Sequence, residues 1–226
     1  LIINKNYNAV KIEANKKLFK KLENNYLNNG KVHLINKFIN FEGEDKLDNI
    51  LSKTALPKYF DLISIDIDGN DYHIWKSLTN YRPKIVIIEF NPTIPNEVEF
   101  IQPKDMTVTQ GSSITSISKL GEEKGYELVA ITDSNAIFVD RKYYELFNIP
   151  DNSIANLREV HKYETVFFQL YDGTIVLKGL DKLFWHELDL NKSIQVIPKV
   201  FRKYPGNIHG LRKFFYKIFK FFRKRI

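Results

Sequence analysis

The segment Asp66-Ile67-Asp68-Gly69-Asn70-Asp71 puts three carboxylates directly behind an apolar run, Phe60 to Ile65. Acids this close in a turn can share one hard cation, or one can take a proton while its neighbour holds a ligand. His73 follows within the next helical pattern, and an imidazole with an ordinary pKa of about 6.5 suits a general base. A second apolar run, Ile85 to Ile88, ends in Glu89, with Asn91 just beyond. Glu13 closes the run Val10 to Ile12, and Asn36 follows Val32 to Ile35. A carboxylate in the position of Glu13 can accept two hydrogen bonds from the cis diol of a ribose.

Each of these residues also has a plainer reading. Glu13 could be a solvated acid favoured at a helix start. Asp, Asn and Gly tolerate left-handed backbone and cap helices, so the acidic segment could be turn chemistry alone. A calcium loop of the EF-hand type needs glycine at its sixth position and glutamate at its twelfth, where this chain has Asp71 and Ser77. Asp66-x-Asp68 also fits the pair with which a glycosyltransferase holds a divalent cation and a nucleotide sugar. His33, His161, His186 and His209 have no mutual metal-ligand spacing and take structural readings. The absence of a G-x-S-x-G elbow and of a G-x-x-x-x-G-K-[ST] loop argues against a serine hydrolase and a P-loop nucleotidase. With no cysteine, thiolate catalysis and disulfides are excluded.

The elements needed to position these groups are legible as alternating strands and helices. Ala9–Glu13, Lys31–Ile35, Phe60–Asp66 and Ile85–Ile88 read as strands, while 15–27, 45–56 and 72–78 have helical spacing. Strands nearly continuous in Ile, Val and Leu imply a mostly parallel sheet covered by helices, an α/β fold. Ligands of such sheets bind at the carboxyl ends of the strands, where all the candidate residues fall. Ser112 or Ser113 caps a helix running to about Lys124, closed by Gly125. The strands Glu127–Ile131 and Ala136–Val139 are joined too briefly for a parallel crossover and must be antiparallel. From about Asp151 the alternation stops, and Asp172-Gly173 between two apolar runs predicts a β-hairpin. The expected organisation is an α/β domain over 1–150, an accessory hairpin subdomain over 151–207 and a basic amphipathic helix over 208–226.

The segment Phe60 to Tyr72, followed by Pro83-Lys84-Ile85-Val86-Ile87-Ile88-Glu89-Phe90-Asn91-Pro92, resembles the FkbM-type S-adenosylmethionine-dependent methyltransferases. Val10-Lys11-Ile12-Glu13 is similar to that family's second strand, and Gly111-Ser112-Ser113 with Gly125-Tyr126-Glu127-Leu128 to its last helix and the strand after it. The likeness spans about residues 7–140. It implies a Rossmann-like sheet in the order 3-2-1-4-5-7-6 with an antiparallel last strand, and methyl transfer from S-adenosylmethionine to a sugar, glycan or small-molecule hydroxyl. It further implies cofactor binding by Glu13, Asn36 and Asp66, a base among Asp68, Asp71 and His73, and acceptor orientation by Glu89 and Asn91. A divalent metal on Asp66, Asp68 or Asp71 is compatible with it. The family's glycine-rich first strand has no counterpart here, and the chain opens on Leu1, with Met106 its one methionine. A piece of a longer protein is therefore expected, lacking the central first strand and inactive by itself. The alternatives are a metal-dependent glycosyltransferase and a catalytically inactive methyltransferase fold serving as a membrane-associated interaction module.

The formal charge of +7 is carried by the tail. Residues 208–226 hold seven basic residues and no acid, whereas 1–207 balance 27 basic against 27 acidic. A neutral body argues against a nucleic-acid partner, and abundant lysine, asparagine and isoleucine make scattered lysines uninformative. On a helical wheel Ile208, Leu211, Phe215, Ile218, Phe219, Phe222 and Ile226 share one face. Lys213, Lys217, Lys220 and Lys224 lie opposite, with Arg212, Arg223 and Arg225 at the flanks and Phe214 and Phe221 widening the apolar side. Such a helix either lies in a membrane interface or docks its stripe on its own domain. A cytoplasmic protein, peripheral at the inner membrane face in the first case, is the corresponding expectation.

Overall fold

The computed structural model describes residues 2–158 and 165–224, apart from the side chain of Asn191. His161, Arg225 and Ile226 lie outside the described residues. The chain divides into two compact units, Leu1–Val160 and His161–Ile226.

The first unit opens with helix α1 (Ile2–Lys5), strand β1 (Ala9–Glu13), helix α2 (Lys16–Tyr26) and strand β2 (Val32–Asn36). Asn15 starts α2 by accepting the N–H groups of Lys17 and Leu18 through its side chain, satisfying two donors that the first turn leaves unpaired. Helix α3 (Leu47–Leu51) is shorter than its sequence pattern. It is preceded by a 3-10 turn at Gly43–Asp45 and pinned by buried Asp48, which accepts the N–H groups of Thr79 and Asn80. Strand β3 (Tyr59–Ile65), helix α4 (Asp71–Ser77), strand β4 (Arg82–Glu89), helix α5 (Ile114–Glu123), strands β5 (Tyr126–Ile131) and β6 (Asn135–Asp140) and helix α6 (Ile154–Leu157) complete the unit.

The result is a mixed α/β architecture with more than one sheet. β1 and β2 pair in parallel, with Glu13 opposite Asn36. A second sheet has the order β3-β4-β6-β5, in which β3 and β4 run parallel and β6 is antiparallel to both of its neighbours. Among the described residues β1 and β3 do not pair, although Val10 and Ile12 of β1 pack against the common core. The expected antiparallel pair is thus present, while the parallel strands fall into two sheets instead of one.

The core lies where α4 and α5 cover the four-stranded sheet. Trp75 is fully buried and meets the rings of Phe138 at 5.1 Å and Tyr126 at 5.7 Å. Gly121 of α5 admits this pairing, since a Cβ there would stand 2.7 Å from the Phe138 ring and 3.2 Å from Trp75. At the far end of the sheet, Arg82 donates from Nε to Asp140 at 2.6 Å and from its other nitrogens to the carbonyls of Lys124 and Gly125. It also lies over the Tyr126 ring, so one guanidinium ties β4 to β5, β6 and the end of α5.

The second unit contains the hairpin β7 (Val166–Gln169) and β8 (Ile175–Lys178), helix α7 (Leu190–Ser193) and helix α8 (Gly210–Arg223). β7 stops short of the apolar run Val166–Tyr171, and β8 is shifted by one residue from the run Thr174–Leu177. Leu170 donates to Thr174 O, and Gly173 sits at φ 83° inside the loop, so Asp172-Gly173 belongs to a wider turn than the two-residue kind.

Replacing Gly121 by valine should lower stability by about 1–3 kcal/mol, because Phe138 or Trp75 must leave its place. A drop in the urea midpoint with an unchanged slope would show it.

Candidate functional site

The acidic turn is built around Asp71. Its side chain is buried, Oδ1 accepts the N–H of Ile67 at 3.0 Å, and Oδ2 accepts that of Gly69 at 2.9 Å. These bonds fold the chain back between β3 and α4 and set Asp68 at φ 57° and Gly69 at φ 127°. Asp and Gly are the residue types that accept such conformations at little cost. Burial pushes the Asp71 carboxyl up to about 6; the backbone N–H groups pull against that rise, and the charge of Asp66 adds to it.

With Asp71 turned inward, Asp66 and Asp68 face solvent. The pairing of Ile65 with Ile88 brings the next residues of the two strands side by side, and Glu89 closes β4. Carboxylate oxygens of Asp66, Asp68 and Glu89 lie within 4.8 Å of one another. Burial raises Glu89 to about 7, helped by the negative charges of Asp71, Asp66 and Asp68. An acid with this pKa exchanges a proton readily near neutrality, and three such oxygen donors also suit a hard divalent cation.

The irregular segment 92–113 lies against this turn. A Cβ on Gly69 would come within 2.9 Å of both Gln102 Oε1 and Thr109 Cα, so only glycine fits. Asn70 donates from Nδ2 to the carbonyls of Asp105 and Val108. Gln102, 1% exposed, donates to Val108 O and accepts the N–H groups of Gln110 and Gly111. Arg158 holds the start of the segment, donating to Pro92 O and the Asn96 side chain above the Phe90 ring. Nothing in the sequence around Ile101-Gln102-Pro103 marks Gln102 as the organiser of this loop.

Four of the residues expected to do chemistry serve this framework. Asp71 spends both oxygens on backbone N–H groups and is not grouped with Asp66 and Asp68; Glu89 takes the third place. Asn91 is buried, donates to Gln110 O at 2.7 Å and accepts the N–H and hydroxyl of Thr93. His73 donates from Nε2 to Gln102 O at 2.8 Å, its ring edge-on to Phe41 and Tyr72. Asn36 donates to the carbonyls of Glu13 and Ala14, which locks the ends of β1 and β2 together. Glu13 itself accepts the N–H of Asn15 through Oε1 at 2.7 Å, and Oε2 has no hydrogen bond among the described residues.

Comparison with protein-family models, with curated proteins and with solved structures finds no match for this chain.

Because the Glu89 carboxyl is raised in the folded state, its contribution to stability is present below about pH 4.5 and is lost as pH rises through about 7. Glu89→Gln removes that loss. The variant should melt close to the parent at pH 4.5 and higher than it at pH 8, by at least about 2 °C for a chain of this size. Equal melting temperatures at pH 8 would show that Glu89 is not held in its neutral form.

Proposed function

We propose that this chain carries a methyltransferase fold of the S-adenosylmethionine-dependent class, acting on a hydroxyl of a sugar, glycan or small molecule. The strand order carries the reading. The two sheets run β2-β1 and β3-β4-β6-β5 with β6 antiparallel, which agrees with the order the FkbM resemblance implies on either side of its first strand. In that arrangement Glu13, Asp66 and Glu89 close β1, β3 and β4 at one edge, where ligands of parallel sheets bind.

Bound S-adenosylmethionine would supply an electrophilic methyl group on its sulfonium. The residues present fit the remaining tasks. Glu13 keeps one carboxylate oxygen for a ribose hydroxyl, and the exposed Asp66 is, by the resemblance, the turn acid nearest the cofactor. Displacement at a methyl group demands alignment of the acceptor oxygen and a place for its proton. Asp68 and Glu89 offer that place at carboxylate oxygens on the solvent side of the turn. Asp71, His73, Asn91 and Gln102 hold the turn and the 92–113 segment in position.

One observation favours a second reading: the closeness of the three carboxylates suits a divalent cation, as a glycosyltransferase would use with a nucleotide sugar through Asp66 and Asp68.

Thermal-shift measurements on the full-length protein separate the two. Stabilisation by S-adenosylhomocysteine without metal supports the methyltransferase; stabilisation by a nucleotide sugar only with manganese supports the glycosyltransferase. No response to either leaves the inactive interaction module. Asp68→Asn keeps a residue type that tolerates φ 57° and should leave S-adenosylhomocysteine binding intact. Methyl transfer should fall by about 100-fold or more, as loss of a general base does. Unchanged turnover would take Asp68 out of the proton path.

A further inference from the structure

We propose that the second unit binds an anionic lipid surface through α8, lying in the plane of the interface. Among the described residues, the ring contacts of the helix with the rest of its own unit lie along one edge. Tyr216 and Phe219 stack on each other and meet the ring of Phe201 at 5.8 and 5.7 Å. Lys220 lies over the Tyr216 ring beside that contact.

Six of the remaining apolar side chains of the helix are solvent-exposed. Leu211 is 78% exposed, Phe222 63%, Phe214 57% and Phe215 54%, and Ile218 and Phe221 are exposed with them. At about 100° per residue these six side chains fill a continuous arc of roughly 120° that excludes Tyr216 and Phe219. Within the second unit the contact with Phe201 uses Tyr216 and the Phe219 margin of the stripe, and Ile208 of the stripe is buried.

Charge selects what covers this face. Lys217 and Lys224 flank the apolar arc on one side and Arg212 and Arg223 on the other, Lys213 and Lys220 lie opposite it, and no acid occurs anywhere in 208–226. A second copy laid on the same face would bring like charges together. A nucleic acid would satisfy the lysines but leave six large apolar side chains in water. An anionic bilayer satisfies both, with the rings in the acyl boundary and the long lysine stems reaching headgroups. The helix has 14 residues, about 21 Å, which is short of the roughly 30 Å hydrocarbon core. Among the described residues no helix is long and apolar enough to cross a membrane, which agrees with an in-plane position.

Flotation of the full chain with phosphatidylcholine vesicles, with and without phosphatidylglycerol, tests the proposal. The parent should float with the anionic vesicles and weakly, if at all, with the neutral ones. Phe215→Ser with Phe222→Ser changes exposed residues only. It should abolish flotation while the circular dichroism and elution volume stay those of the parent. Changing Lys213, Lys217, Lys220 and Lys224 to glutamine should weaken binding to anionic vesicles by about 100-fold or more, at about 1 kcal/mol per basic residue. The proposal is overturned if the parent fails to float. Full binding by either variant overturns it too, as does a parent that elutes as a dimer dispersed by the Phe215 and Phe222 changes without binding vesicles.

Discussion

Asp71 accepts the N–H groups of Ile67 and Gly69 from inside the fold, and the geometry of the acidic edge depends on that pair of bonds. A buried carboxylate is costly unless donors surround it. Here the donors are the backbone of the turn it caps, so the desolvation of one acid is offset by ordering the segment that carries two others. The bonds place Asp68 in left-handed backbone and turn Asp66 and Asp68 outward, where Glu89 meets them from the neighbouring strand. The field of this cluster then acts back on its members: burial and the neighbouring negative charges together keep Glu89 largely protonated until near neutrality.

Strict packing on the other side of the turn keeps the cluster in place. Gly69 leaves no room for a Cβ against Gln102 and Thr109, and Asn70 hands its amide hydrogens to the loop carbonyls. Gln102 gathers the far end of the same loop. The 92–113 segment has no regular structure of its own, yet its polar backbone groups find buried partners, which lets a long connection lie beside a candidate site. His73 and Asn91 belong to this scaffold by their hydrogen bonds, so their influence on any chemistry runs through the position of Asp68 and Glu89.

The second unit answers to a different constraint. Among the described residues it has few buried apolar side chains, and its terminal helix meets Phe201 through the rings of Tyr216 and Phe219. A helix with so many exposed apolar side chains is incompletely satisfied in water. Five of the seven basic residues that give the chain its net charge sit on that element, while the first unit's acids and bases are close to balance.

The amino-acid sequence by itself determined the elements: the helix cap at Ser112 or Ser113, the glycine stop at Gly125, the antiparallel β5–β6 pair and the amphipathic tail all follow from local rules of backbone sterics and periodicity. It also located the acids at strand ends, because an apolar run that stops at a carboxylate is visible in one dimension. Which acids gather was decided only in three dimensions. Asp71 lies nearer to Asp68 in sequence than Glu89 does, yet backbone N–H groups inside the turn capture it, and the register of β3 with β4 brings Glu89 across instead. Gln102 was invisible for the same reason, since its partners lie in a loop without periodicity. The edge by which α8 meets its own unit was likewise decided by tertiary contact, as Phe201 meets Tyr216 and Phe219 and not the centre of the apolar stripe.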